Sequence, residues 1–220
     1  MQDNKCIVCG EIIPESLQVC PICNDSEKTR VVVRSVKPYW FYLICEGLKK
    51  AEVGKSRPKA ENWNKVVYLY CSQDKKSFNR IPKEHREKYR KFLGKIGVRF
   101  VCNKIEDFHQ FMLYPINEYE KKTIDEILKN SCLSYDELCD YIGEREHYKP
   151  FYIWHISNLV IYDKPRELSE FYTVVENEDC GKCRYYDTPY DCEPCNQCQG
   201  GRKYLTRPPQ SWCYAEELKC

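Results

Sequence analysis

Cysteine is the residue whose spacing in this sequence implies chemistry most directly. Cys6 and Cys9 form one pair and Cys20 and Cys23 another, each with two residues between the thiols. Two intervening residues make the tight knuckle by which paired thiolates wrap one metal ion, and Gly10 and Pro21 suit that turn. Four cysteine ligands leave no position open for water or substrate, so the expectation is a structural zinc ribbon over residues 1–26 rather than a catalytic metal. A segment this short cannot bury a core of its own without the metal.

A second cluster lies near the C-terminus. Cys180 and Cys183 are one pair, while Cys192, Cys195 and Cys198 offer two overlapping ones. Cys195 and Cys198 are preferred because Gly200 and Gly201 follow them; Cys192, Cys213 and Cys220 are alternative ligands. The expected cofactors are therefore two zinc ions. An iron–sulfur cluster is the alternative at the second site, since the Cys192, Cys195, Cys198 spacing matches part of a ferredoxin pattern without its following proline. Cys45, Cys71, Cys102, Cys132 and Cys139 stand singly in apolar segments and read as small buried hydrophobes.

Metal rather than disulfide is the expectation because the first residues, with Asp3, Lys5 and Cys6, lack the apolar stretch of an export signal. Nor is there a run of about 18 apolar residues to span a membrane. The chain thus reads as cytoplasmic, in a bacterium or a phage-infected host cell. Its formal charge is +2, but each zinc with four thiolates would contribute −2, so the total says nothing about a nucleic-acid partner. At 220 residues and 42% hydrophobic content it can bury one substantial core.

The elements that must carry any site follow from periodicity. Residues 31–36 are β-branched and strand-like; Tyr39 to Ile44 reads as a short buried helix closed at Gly47; residues 51–56 return as a strand. Residues 66–71 are apolar on both faces, whereas Val98, Phe100 and Cys102 alternate with Arg99 and Asn103 as in a half-exposed strand. Between them a charged surface helix opens at Pro82. Ile124, Ile127 and Leu128 share one helical face, and Ser134 with Glu137 forms a capping box for a helix ending at Gly143. Residues 151–162 read as the last long strand or hairpin before Pro165.

Outside the cysteines, Lys49, Lys55, Arg57 and Lys59 crowd one turn-to-strand region with Glu52 as the opposing acid, so a phosphate could sit there. Tyr39, Trp40, Tyr152 and Trp154 could stack unpaired bases. His155 is a candidate hydrogen-bond donor. The bland alternative is a solvated basic face with Lys49 and Glu52 as an ordinary surface pair.

The stretch from Lys37-Pro38-Tyr39-Trp40 through Gly47, Lys49 and Glu52 to Lys59 resembles the ASCH domain, a PUA-like β-barrel family, in its phage and prophage form. Gly47, Lys49 and Glu52 match its signature, and Gly54 stands where an arginine is expected. Residues 66–71, 98–103, 133–143 and 154–165 resemble its later blocks in order. The resemblance implies binding of RNA or a nucleotide in a cleft of the barrel. A few members are amidohydrolases on acetylated cytidine, using a lysine, a threonine and a glutamate. Lys49 matches the lysine, but Glu52 stands at the threonine position, so that reaction does not carry over.

The fold class expected is α+β: a PUA-like β-barrel with flanking helices over 31–172, preceded by the ribbon and followed by a cysteine-rich zinc module over 176–220. The function expected is recognition of RNA or a modified nucleotide by Trp40, Lys49, Glu52, Lys55, Arg57, Trp154 and His155. The alternatives are an enzyme, either an amidohydrolase on modified nucleobases or a nuclease, with Lys49, Glu52 and His155 as its catalytic groups, and an adaptor that binds proteins through its zinc modules.

Overall fold

The computed structural model of the chain describes residues 31–58, 65–109, 118–143, 150–174 and 202–217. The eight preferred zinc ligands, Cys6, Cys9, Cys20, Cys23, Cys180, Cys183, Cys195 and Cys198, lie outside these residues, as do Cys192, Cys220 and Lys59. Ten strands, five α-helices and one 3-10 turn (Leu168–Glu170) are described: β1 (Val31–Val36), α1 (Pro38–Cys45), β2 (Ala51–Gly54), β3 (Lys65–Cys71), α2 (Lys75–Phe78), α3 (Lys83–Arg90), β4 (Lys95–Cys102), β5 (Ile105–Phe108), α4 (Glu118–Ser131), α5 (Tyr135–Ile142), β6 (Phe151–His155), β7 (Ser157–Arg166), β8 (Phe171–Val174), β9 (Arg202–Tyr204) and β10 (Trp212–Glu217). The architecture is mixed α+β with a sheet-rich core. No described helix is long and apolar enough to cross a membrane.

A large sheet has the order β7-β4-β3-β1-β10-β8-β9 and a small one the order β2-β6-β5. All pairings are antiparallel except β1 with β3. The two sheets are made by the same chain runs, because β4 continues into β5 and β6 into β7, each run leaving one sheet and entering the other. A single core therefore forms between them, where Val32, Val67, Leu69, Val98 and Phe100 of the large sheet meet Trp154 of the small one under α1. Alternation assigns the small sheet's other face: Ala51, Val53, Phe108, Phe151 and Ile153 pack against Ile124 and Ile127 of α4 and Leu138 and Ile142 of α5.

Local signals act as expected in α1, which opens with Pro38 at its first turn, and in α5, whose Ser134–Glu137 capping box is complete. Residues 151–162 require correction: they split into β6 and β7, which belong to different sheets and do not pair with one another. Strand β7 also runs through Pro165, which is tolerated because β7 is an edge strand and its free side needs no ladder donor.

The large sheet continues past the expected boundary at 172. Strand β10, from the stretch 176–220, lies between β1 and β8 in the middle of the large sheet, with Arg34 opposite Trp212. Cysteine spacing dominated the reading of that stretch, while the alternation of Trp212 and Tyr214 with Cys213 and Ala215 is what makes it a strand. Cys213, an alternative metal ligand in the sequence, lies in β10 opposite Val33 and outside any disulfide, and burial pushes its thiol up to about 11. Among the described residues no group of three or more His, Cys, Asp or Glu side chains is placed to hold a metal. Of the five singly placed cysteines, Cys71 and Cys102 are buried, whereas Cys45, Cys132 and Cys139 are half-buried.

Candidate functional site

The chain enters the site through a turn. Gly47, at φ +70°, donates to the Ile44 carbonyl while Leu48 donates to Leu43, closing α1 with the paired bonds of a Schellman motif. That turn carries Lys49 inward rather than out to water. Its ammonium donates to the Ser131 carbonyl at 2.6 Å, stands 3.3 Å from Glu52 Oε2 and lies 5.1 Å from the centre of the Trp40 ring. Lys49 and Glu52 are thus not a surface pair: their side chains are 2% and 12% exposed.

Arg34 of β1 completes the cluster. Its Nη2 donates to the Val53 carbonyl at 2.9 Å and lies 3.4 Å from Glu52 Oε1, and its guanidinium covers the Trp154 ring at 4.7 Å. These contacts join β1 to β2, the place where the two sheets have no backbone pairing. Gly54 leaves the room: a Cβ there would be 3.0 Å from Trp154 Nε1 and 3.1 Å from Arg34 Nη1 and Nη2. The arginine that the ASCH resemblance expects at position 54 is thus absent in sequence, and a guanidinium from another strand occupies the adjoining space.

Two cations and one carboxylate leave this buried cluster with a net charge of +1. Among the described residues Arg34 Nε and Nη1 have no hydrogen-bond acceptor, and Glu52 Oε2 is met only by the charge of the Lys49 ammonium at 3.3 Å, without a hydrogen bond. A buried polar group left without a hydrogen-bond partner costs about 1–3 kcal/mol, so the unpaired guanidinium nitrogens mark this cluster as the electrostatically least satisfied place in the described core. Trp212 of β10 walls the same side, its ring 6.4 Å from Trp154 and its Nε1 donating to Ser56 Oγ at 2.9 Å.

The other sequence candidates scatter. Glu52 and Trp154 are cross-strand partners and share one face, so the next residue, His155, points to the opposite face with Ala51. There its Nε2 bonds Glu106, which also pairs with Lys104 at 2.5 Å. Burial would raise the Glu106 carboxyl, but the bonds from Lys104 and His155 outweigh it and hold it below its ordinary value. His155 therefore lies on the face opposite the Lys49–Glu52 pair. Lys55 lies 5.2 Å from the Tyr141 ring of α5, on the helix-covered side. Arg57 sits 5.4 Å above Tyr152 and pairs with Asp107 at 3.0 Å, on the Trp154 side but exposed. Trp154 is fully buried with the Arg34 guanidinium over its ring, whereas Trp40 is half-buried.

Sequence reasoning missed Arg34, although a lone arginine among Val31, Val32, Val33 and Val36 was a signal: a cation in a strand that apolar must be paired or functional. It also missed Trp212, hidden in the cysteine-rich stretch.

No protein-family model matches the chain, and no curated protein matches it. Solved structures do. The crystal structure of ASCH from Zymomonas mobilis is similar at a TM-score of 0.44 and 11% identity, over 83% of this chain and 85% of that one. Two point variants of the same protein give 0.42 and 0.44 at 11% identity, over 83% and 85% of this chain and 88% and 89% of theirs.

Proposed function

We propose that this chain is an ASCH-type, PUA-like protein that binds RNA or a modified nucleotide at the Arg34–Glu52–Lys49 cluster, and that its two cysteine modules each hold one zinc ion. The observation that supports the binding reading is the buried cluster of net charge +1 in which Arg34 Nε and Nη1 lack acceptors among the described residues. A base carbonyl or a phosphate oxygen supplies the missing acceptor, and Glu52 Oε2 accepts from an amino or imino N–H of a base. Trp40 provides the aromatic face beside them.

The test is calorimetric titration of the full-length protein with cytidine monophosphate, N4-acetylcytidine and a short single-stranded RNA, at low and moderate salt. Binding in the wild type and its loss in Arg34→Lys, which keeps the charge but removes the unpartnered donors, supports the reading. A folded wild-type protein with no affinity for any of these, even at low salt, sinks it. Zinc is tested separately by metal analysis: Cys6→Ser and Cys183→Ser should each release one of two zinc ions, and an iron-containing protein absorbing near 400 nm would overturn the assignment of the second site.

A further inference from the structure

The contacts of Trp40 lead away from the buried cluster along a continuous path. Lys49 approaches its ring at 5.1 Å and Arg80 at 5.0 Å, and Arg80 also lies 4.1 Å over Tyr39. Arg80 belongs to the corner between α2 and α3, where residues 75–83 carry four basic side chains and no acidic one. The corner is fastened to α1, since Tyr39 N–H donates to Ser77 Oγ at 3.0 Å.

The basic residues around this corner are answered by partners. Lys37 lies 3.8 Å from Asp74, Lys88 pairs with Glu46, Arg90 with Glu87 and Lys95 with Glu167, while Lys91 donates to the Asp163 carbonyl. Lys75, Lys76 and Lys83 differ. They are exposed, and none has an ion pair among the described residues. Three exposed cations of α2 and α3 thus stand without an ion pair among the described residues at the end of an aromatic path to the buried cluster.

We infer that the nucleotide at the buried cluster is presented within a polynucleotide strand, whose backbone crosses Trp40 and Arg80 and places phosphates on Lys75, Lys76 and Lys83. This rests on the nucleotide-binding reading above and specifies its ligand class, a strand rather than a free nucleotide. Arg80 is held ready over the two rings by Glu137 of α5 at 2.9 Å, an exposed pair that a phosphate can replace.

The test compares the wild type with the triple variant Lys75→Ser, Lys76→Ser, Lys83→Ser and with the corresponding three-arginine variant. The probes are a uridine-rich RNA of about ten nucleotides, within the usual site sizes for single strands, and cytidine monophosphate. With about 0.7 of log–log salt slope per phosphate contact, the serine variant should lose about 2 units of slope for the RNA, roughly a hundredfold in affinity near 0.1 M salt. It should keep its affinity for the mononucleotide, and the arginine variant should retain the wild-type slope. A serine variant that binds RNA with wild-type slope, or loses RNA and mononucleotide equally, overturns the inference and leaves the buried cluster's role intact. If the wild type binds RNA alone, the slope comparison decides. Wild-type protein that binds neither probe overturns the binding reading itself, and this inference with it.

Discussion

Replacing Glu52 with Gln tests whether the Arg34–Glu52–Lys49 cluster is buried and coupled as described. Glu52 stands 3.4 Å from Arg34 and 3.3 Å from Lys49, and at an effective dielectric constant of about 20 each contact is worth roughly 5 kcal/mol of attraction. Desolvation of three charges and repulsion between the cations offset most of that. What the substitution exposes is the imbalance, because the buried charge rises from +1 to +2 in an unchanged shape. Removing one partner of a buried pair typically costs about 3–5 kcal/mol, a large part of the stability of a domain of this size. Urea denaturation of the full chain, followed by tryptophan fluorescence, should show that loss. The double variant Glu52→Gln with Lys49→Met should then be more stable than Glu52→Gln alone, since it returns the charge to +1. A loss under about 1 kcal/mol, as for an exposed ion pair, or a double variant weaker than the single one, would refute the reasoning.

Further expectations concern the frame around the site. Gly54→Ala puts a methyl against the Arg34 guanidinium and the Trp154 indole, and should destabilise by about 1–3 kcal/mol in the same assay; unchanged stability would mean that the two side chains lie elsewhere. Deleting residues 202–220 removes β10 from between β1 and β8 and should abolish cooperative unfolding of the remainder, whereas an independent C-terminal module would leave it intact. Glu46 accepts from Tyr89 Oη at 2.5 Å and pairs with Lys88 at 2.9 Å, contacts that hold its carboxyl below its ordinary value. Because the folded-state pKa is lowered, this stabilisation is complete above the ordinary glutamate pKa of about 4.3 and is lost as pH falls through the folded value. Glu46→Gln should therefore lower stability by about 1 kcal/mol at neutral pH, with the gap closing in acid; a gap independent of pH would contradict that.

The sequence by itself determined those features whose cause is local. Pro38 opens α1 and Gly47 closes it, Ser134 and Glu137 cap α5, and Val98, Phe100 and Cys102 present one face of a strand with its other face half-open. Lys49 and Glu52 were legible as a pair because their spacing is short. Tertiary structure alone decided that this pair is buried: an i,i+3 couple looks the same on a solvated turn as inside a core, and only the Gly47 turn and the Ser131 carbonyl draw it in. Alternation showed that Trp154 and His155 face opposite ways, but cross-strand partners choose which of them faces Glu52. Arg34 and Trp212 are separated from Glu52 by 18 and 160 positions, respectively, in the numbering, and only strand order brings all three together. Side-chain period is a property of the chain, whereas the sign of each face is set by what packs against it.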